Sequence, residues 1–196
     1  FASALQNPSI TSVTTAASGT YTVTATVSSC ISSGTISVTI NPVPAVTVPA
    51  NSIVCNGASI PAAVFTSTPT GATYAWTNSN PAIGLAASGV NNIASFTTTN
   101  ATANPITATI SVTPTLSGCP GTPATYTITV NPTPVVTVPA NSTVCNGSTV
   151  AAANFTSTTT GATFAWTNSN PAIGLAASGI GNIAAFSGTN TGTAPF

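Results

Sequence analysis

The chain contains no lysine, arginine, aspartate, glutamate or histidine among its 196 residues. These residue types supply most of the general acids and bases that work near neutral pH. Their absence excludes Ser-His-Asp and Cys-His pairs, carboxylate sites for calcium, and imidazole sites for zinc. It also removes the positive surface that binds nucleic acid or anionic lipid. The sequence therefore predicts a protein that is not an enzyme, needs no cofactor or metal, and does not bind nucleic acid.

Long hydrophobic runs are missing as well. Threonine, serine or asparagine interrupts every apolar stretch before it reaches the ~18 residues that a membrane helix needs, so we expect no membrane insertion. Hydrophobic residues still make up 42% of the chain, enough for packed cores. Threonine and valine are abundant, and both fit strands better than helices. The composition therefore predicts an all-β fold.

A long internal repeat organises the chain. Residues 41–100 recur as residues 131–190, and 45 of these 60 aligned positions are identical. Composition bias alone does not produce such a match. The offset of 90 residues is the size of one immunoglobulin-type sandwich. We therefore predict the C-terminal part of an immunoglobulin-like module in residues 1–40, a complete module in residues 41–130, and the N-terminal two thirds of a second copy in residues 131–196.

Asn-Pro pairs mark the joints between these modules, at Asn41-Pro42 and Asn131-Pro132. A second proline follows two residues after the first in each joint. Proline in a short linker limits flexing and favours an extended arrangement. Because the sequence starts and stops inside modules, we expect it to come from a much longer protein.

Within the complete module, hydrophobicity alternates with a period of two. Ile106, Ala108, Ile110 and Val112 alternate with threonine and serine, and residues 126–130 continue the pattern. Such alternation is typical of antiparallel strands with an apolar inner face. We expect tandem antiparallel β-sandwiches with about seven strands in two sheets. Further strands are predicted around residues 46–48, 59–66, 72–78 and 93–98, with turns at Asn56-Gly57, Thr70-Gly71, Ser88-Gly89 and Gly118–Gly121.

Whole phrases of the chain resemble a known family. VCNG, AWTNSNPAIGLAASG and ITATISVTPTLSGCPGTPATYTITVNP are similar to the PKD-like, immunoglobulin-like tandem repeats of very long secreted Bacteroidetes surface proteins, of the type IX secretion and gliding-adhesin type. The resemblance covers residues 41–196 and implies an extracellular, multidomain stalk at the cell surface without catalytic residues. Many PKD-like domains have acidic residues that hold calcium, whereas this chain has none. Residues 1–40 resemble a related module, with Tyr21 placed as in a tyrosine corner.

Each module carries one early and one late cysteine. Cys55 and Cys145 both lie in VCNG, and Cys30 and Cys119 both lie near the last strand pair. The extracellular location implied by the resemblance favours disulfides. We predict a Cys55–Cys119 bridge, with Cys30 and Cys145 paired outside this sequence or with a neighbouring copy. The alternative is four buried free thiols, and metal binding is disfavoured because no Cys-x-x-Cys occurs.

Two tryptophans occupy equivalent positions in Ala-Trp-Thr-Asn on the third strand. Immunoglobulin folds pack a tryptophan between their sheets at this place. An aromatic residue two positions earlier shares the same side of the strand, which favours a core position. The alternative is an exposed ring that stacks on a sugar. We assign Trp76, Trp166, Tyr21 and Tyr126 to the structural core.

We expect a non-catalytic structural repeat of a giant extracellular bacterial protein, acting as a stalk, adhesin spacer or surface filament. Its partners would be neighbouring modules of the same chain or other copies. In a filament, Thr20–Ile40 of one copy would complete residues 131–196 of another by chain continuity or strand donation.

The alternative function is a carbohydrate-binding module or, through its outward threonine rows, an ice-binding module. A glycan would then be the partner. The expected recognition loops carry Asn78, Ser79, Asn80 and Asn92. Glycosylation sequons occur at Asn100, Asn141, Asn146 and Asn154.

Overall fold

The chain folds as β-structure, in a computed structural model that describes residues 3–5 and 8–195. Within these ranges there is no α-helix, and the predicted all-β class is confirmed. Three single-turn 3-10 helices span Thr15–Ala17, Pro81–Ile83 and Pro171–Ile173. No helix in the described part has the length and apolarity to cross a membrane. The strands are β1 (Gly19–Val27), β2 (Cys30–Val38), β3 (Ala45–Thr47), β4 (Ser52–Cys55), β5 (Ser59–Ile60), β6 (Thr66–Thr68), β7 (Thr73–Asn78), β8 (Ser88–Val90), β9 (Phe96–Thr97), β10 (Ile106–Leu116), β11 (Cys119–Pro120), β12 (Ala124–Asn131), β13 (Val136–Thr137), β14 (Thr149–Val150), β15 (Thr156–Ser157), β16 (Ala165–Thr167), β17 (Ser178–Ile180) and β18 (Phe186–Ser187).

Strands β1 and β2 form an antiparallel hairpin, and in the described residues these strands pair only with each other. Ser28 and Ser29 make its turn with φ values of 45° and 70°, and such positive angles match the twist of a tight hairpin. Tyr21 lies opposite Ile36, so the apolar side chains share one face and the threonines the other. The apolar face is open to solvent, with Val23 68% exposed. An isolated two-stranded hairpin is marginal in water, and Ile10 and Val13 line a cavity together with Tyr21 and Ile36 at one end of this face.

The complete module is an immunoglobulin-like β-sandwich. One sheet has the strand order β4-β12-β10-β7-β8, with β11 added to β10. Shorter pairs, β3 with β6 and β5 with β9, and a bridge between Ala63 and Ile93 supply the second layer. These strands enclose buried side chains such as Phe65, Trp76 and Ile83.

The inner faces of β10 and β12 supply the centre of the core. Ala108, Ile110 and Val112 are fully buried on β10, and Ile128 and Val130 are buried in the same way on β12. The threonines and serine between them are more exposed, which confirms the period-two pattern. Burying each such isoleucine or valine stabilises the fold by roughly 1.5–3 kcal/mol, so the sandwich depends on this strand pair.

Three predicted elements differ from the structure. The turn expected at Gly118–Gly121 contains strand β11, and only its first part is a turn. The segment 59–66, expected as one strand, contains β5 and ends where β6 begins. Ser88-Gly89, expected as a turn, lies in strand β8, where Gly89 pairs with Trp76 of β7. A Cβ atom on Gly89 would overlap ring atoms Cζ2 and Cε2 of Trp76. The glycine therefore makes room for the indole and does not form a turn.

The second repeat reproduces the short pairs of the first. The pair β13–β15 corresponds to β3–β6. The pair β14–β18 corresponds to β5–β9, and β16–β17 corresponds to β7–β8. Gly179 lies against Trp166 as Gly89 lies against Trp76. In the described residues β16 pairs only with β17, whereas β7 pairs with both β8 and β10, and Trp166 is only half-buried.

The chain's pH dependence follows from its composition and from Tyr126. No aspartate, glutamate or histidine is present to be protonated in acid, and burial raises the pKa of Tyr126 above 10.0. We expect the urea midpoint, followed by tryptophan fluorescence, to stay constant from about pH 4 to about pH 7. Stability should fall only above about pH 10, because the unfolded state then loses the tyrosine proton before the folded state does. Acid unfolding near pH 4 would contradict this expectation.

Candidate inter-module interface

At the end of the sandwich where β12 leads into the second repeat, polar side chains of both repeats bond to one another. All of them belong to one compact unit, which comprises residues 53–58, residues 98–107 and the chain from Thr129 onward. We name this set the joint network. Its members are Asn56, Asn100 and Asn104 of the first repeat and Thr133 and Thr160 of the second.

Asn100 is the buried centre of the joint network, with only 4% of its surface exposed. Its Nδ2 donates to the carbonyl oxygen of Val130 at 2.7 Å and to that of Asn104 at 2.9 Å. Its backbone N–H donates to Oδ1 of Asn56 at 2.8 Å. Its Oδ1 accepts from the backbone N–H and the hydroxyl of Thr102 at 2.9 and 2.7 Å. One amide therefore fixes the loop that follows β9 against the end of β12.

Asn56 connects the first repeat directly to the second. It lies in the turn after β4, where Gly57 adopts φ of 82°, a value that suits glycine. Its backbone N–H donates to the carbonyl oxygen of Asn131 at 2.8 Å. Its Nδ2 donates to Oγ1 of Thr133 at 3.2 Å. Since Oδ1 also accepts from Asn100, one side chain bonds to both repeats.

A second link between the two repeats joins Thr160 to Asn104. The Thr160 hydroxyl donates to Oδ1 of Asn104 at 2.9 Å, and Thr159 Oγ1 makes a long contact of 3.5 Å to the carbonyl oxygen of Thr133. Thr160 lies in the loop between β15 and β16. The joint is therefore held by neutral amides and hydroxyls, and no charge is involved.

The first repeat's part of the network recurs in the second. The backbone N–H of Asn190 donates to Oδ1 of Asn146 at 2.9 Å, and Nδ2 of Asn190 donates to the carbonyl oxygen of Ala194 at 2.9 Å. These bonds match those of Asn100 with Asn56 and Asn104. The arrangement is therefore a property of the repeated sequence. Within the described residues, Asn146 has no counterpart of Thr133.

A comparison with protein-family models matches the part of the chain that contains the sandwich strands from β4 to β12. Residues 52–134 match the family model of the PKD-like domain. The match begins at β4 and ends just after Thr133 of the joint network. No curated protein matches the chain. Domains of this kind are immunoglobulin-like modules of an extracellular, structural type and are typically non-catalytic, which agrees with the resemblance found in the sequence.

The cysteines of the PKD-like module do not form the predicted bridge. All four cysteines of the chain are free, and Cys30, Cys55 and Cys145 are exposed. Cys55 ends β4, and the next residue bonds to Asn131 at the end of β12. Cys119 lies in the hairpin that precedes β12. An eight-residue strand spans over 20 Å at ~3.3 Å per residue, whereas a disulfide needs Cα atoms within about 7 Å.

The Cys55–Cys119 prediction is therefore wrong for this structure. Cys55 lies beside the C-terminal end of β12, whereas Cys119 lies before the N-terminal end of that strand. The alternative of four buried thiols does not fit the observed exposure either. Pairing of Cys30 and Cys145 beyond this sequence stays a prediction. In the described residues no cluster of three metal-ligating side chains occurs.

The predicted core aromatics lie at different depths. Trp76 is 7% exposed and Tyr126 is 5% exposed, both inside the PKD-like module, so the Trp76 ring is not a surface for stacking a sugar. Trp166 and Tyr21 are half-buried. Nε1 of both tryptophans is buried without a hydrogen-bond partner among the described residues. The Tyr21 hydroxyl donates to the carbonyl oxygen of Ala17 at 2.6 Å, as a tyrosine corner bonds to upstream backbone.

The side chains of the loop residues expected to recognise a glycan bond to backbone groups, and Ser79 and Asn92 are exposed. Asn78 is 7% exposed, and its Nδ2 donates to the carbonyl oxygens of Leu85 and Ala86 at 2.9 and 3.2 Å. Asn92 accepts from the backbone N–H of Phe65 at 2.9 Å. Ser79 accepts from Thr109 N–H, and Asn80 accepts from Ala82 N–H. The sequence alone indicates Asn56 only as a turn residue and Asn100 only as a sequon, because their partners lie in distant segments.

Proposed function

We propose that the chain is part of a non-catalytic structural repeat protein outside the cell, in which PKD-like modules act as spacers of a stalk, adhesin or surface filament. The observation that carries the proposal is the joint network, because a spacer must hold each module in a fixed relation to the next. The long secreted Bacteroidetes proteins that the sequence resembles are the class of parent protein that we propose.

The chemistry of the joint suits a passive external fibre. Neutral hydrogen bonds contribute roughly 0.5–1.5 kcal/mol each, and salt does not screen them as it screens exposed ion pairs. Pro132 and Pro134 restrict the linker between the repeats. The joint is thus expected to keep its geometry across changes of ionic strength and of pH between acid and neutral.

Neighbouring modules of the same chain are the partners that we propose first. Other copies are the second, because uncharged surfaces do not repel one another. The open apolar face of the β1–β2 hairpin supports the idea that this hairpin covers a sandwich, either in its own chain or in another copy. No contact among the described residues favours the carbohydrate-binding or ice-binding alternatives over the spacer.

A double variant of the full chain tests this function. Thr133→Val and Thr160→Val remove the acceptor of Asn56 and the donor to Asn104 without changing the PKD-like sandwich. Thr70→Val with Thr167→Val is the matched control, because the structure shows no side-chain hydrogen bond at these exposed threonines. We expect small-angle scattering to show a broader distribution of dimensions for the joint variant and no change for the control.

Unchanged scattering of the joint variant would contradict the spacer role of the joint. Binding of the full chain to a glycan array would favour the alternative class, whereas absence of binding agrees with a spacer.

A further inference from the structure

The chain contains two Asn-Gly steps, and both occupy the same place in the repeat. They are Asn56-Gly57, inside the joint network, and Asn146-Gly147 in the second repeat. Glycine has no Cβ and leaves its backbone nitrogen accessible. An asparagine followed by glycine is therefore the step in a protein where the side-chain amide reacts most easily with the next backbone amide.

The reaction needs only water and the chain itself. The deprotonated amide nitrogen of Gly57 attacks Cγ of Asn56, a C–N bond forms, and the Cγ–Nδ2 bond breaks with loss of ammonia to give a succinimide. Water then opens the ring at either carbonyl and leaves aspartate or isoaspartate. In total, one water is consumed and one ammonia is released for each asparagine converted.

The fold restrains this reaction at Asn56. The Gly57 N–H donates to the carbonyl oxygen of Thr98 at 2.9 Å. The Asn56 side chain is held at Oδ1 by Asn100 and at Nδ2 by Thr133. Its Cγ therefore reaches the Gly57 nitrogen only after bonds of the joint network break.

Asn146 shares two of these restraints and lacks the third. Its Oδ1 accepts from Asn190, and the Gly147 N–H donates to the carbonyl oxygen of Gly188 at 2.8 Å. In the described residues no group stands where Thr133 bonds to Asn56. Asn146 is also exposed, whereas Asn56 is half-buried.

We propose that Asn56 is a spontaneous deamidation site that the inter-module joint protects, and that its conversion to aspartate loosens the joint. The second part rests on the proposed function, whereas the protection rests only on the contacts of Asn56. A carboxylate has no N–H, so the bond that Nδ2 donates to Thr133 is lost, and only a bond donated in the opposite direction by the Thr133 hydroxyl can replace it. The product also places a negative charge among neutral groups, in a chain whose side chains otherwise carry none at neutral pH.

The test compares the two asparagines within one molecule. The full chain is incubated at pH 8 and 37 °C, and deamidation is followed by peptide mass spectrometry after chymotrypsin digestion, because trypsin has no site in the chain. We expect Asn56 to deamidate roughly tenfold more slowly than Asn146, the factor that one or two ordinary hydrogen bonds supply. In concentrated urea, the two rates should become equal.

The variant Thr133→Val gives the decisive comparison. It should raise the Asn56 rate towards that of Asn146 and leave the Asn146 rate unchanged, which distinguishes loss of the joint bond from general unfolding. Equal rates in the native wild-type chain, or no response of Asn56 to Thr133→Val, would overturn the proposed protection. The two deamidation rates could differ while Asn56→Asp leaves the small-angle scattering of the chain unchanged. That result would contradict the proposed loosening of the joint and would still support the protection of Asn56.

Discussion

Replacing Asn100 with alanine is expected to lower the free energy of unfolding of the PKD-like module by about 2–4 kcal/mol. The substitution removes both bonds donated by Nδ2 and leaves the carbonyl oxygen of Val130 without this partner. It also removes the acceptor of the Thr102 N–H and one of the two acceptors within reach of the Thr102 hydroxyl, the other being the carbonyl oxygen of Asn104. Because the site is 4% exposed, water does not easily replace the lost partners, and an unsatisfied buried group costs more than an average hydrogen bond contributes.

Asn190→Ala is the matched control for this prediction. The same local bonds to Ala194 and Gly192 are lost, but the side chain is only half-buried and the described structure shows no bond like that to Val130. We expect a change below about 1 kcal/mol. Urea unfolding should be followed by fluorescence in single-tryptophan backgrounds, with Trp76 reporting on Asn100→Ala and Trp166 reporting on Asn190→Ala. Equal losses for the two variants would show that the contact to β12 contributes nothing.

Replacing Gly89 with alanine is expected to cost about 1–3 kcal/mol, the usual range for overpacking a core. The new Cβ would collide with the Trp76 ring, whose fused atoms cannot move aside as the end of a flexible chain can. Trp76 is held between Gly89 on one strand and Val112 on the other. The ring or strand β8 must therefore shift.

Two glycines provide controls for the packing argument. Gly34→Ala lies in strand β2 with open space around the new Cβ, and we expect almost no loss of stability. Gly179→Ala makes the same collision with Trp166, but that ring is half-buried and can move, so the loss should be smaller than at Gly89. A Gly89→Ala protein as stable as Gly34→Ala would contradict the close contact with Trp76.

Local patterns predicted the strands, because alternation of side chains along a strand depends only on neighbours in sequence. The buried faces of β10 and β12 followed directly from this. Gly89 was misread because the same glycine that suits a turn also suits close packing beneath an indole, and the indole comes from another strand. The Cys55–Cys119 bridge failed for a related reason, since counting cysteines per module says nothing about which end of the sheet each one occupies.

The joint network shows the limit of reasoning from one repeat. Asn56 and Asn100 are visible in the sequence as a turn residue and a sequon, but these partners lie 30 or more residues away and, for Thr133, in the second repeat. The sequence offered one usable signal, which was the recurrence of both asparagines at the same offset in the two repeats. An asparagine repeated at a module end, in a chain without charge, is a candidate for a neutral joint.

The central claim is that neutral hydrogen bonds hold the joint rigid. Residual dipolar couplings on the full chain test it directly, with amides of residues 98–107 and 149–187, which belong to one compact unit, measured in the same aligned sample. We predict that one alignment tensor fits both segments, at low salt and in 1 M salt alike, and that Thr133→Val with Thr160→Val separates them into two tensors. Two different tensors for the wild-type chain, or one that changes with salt, would contradict the account.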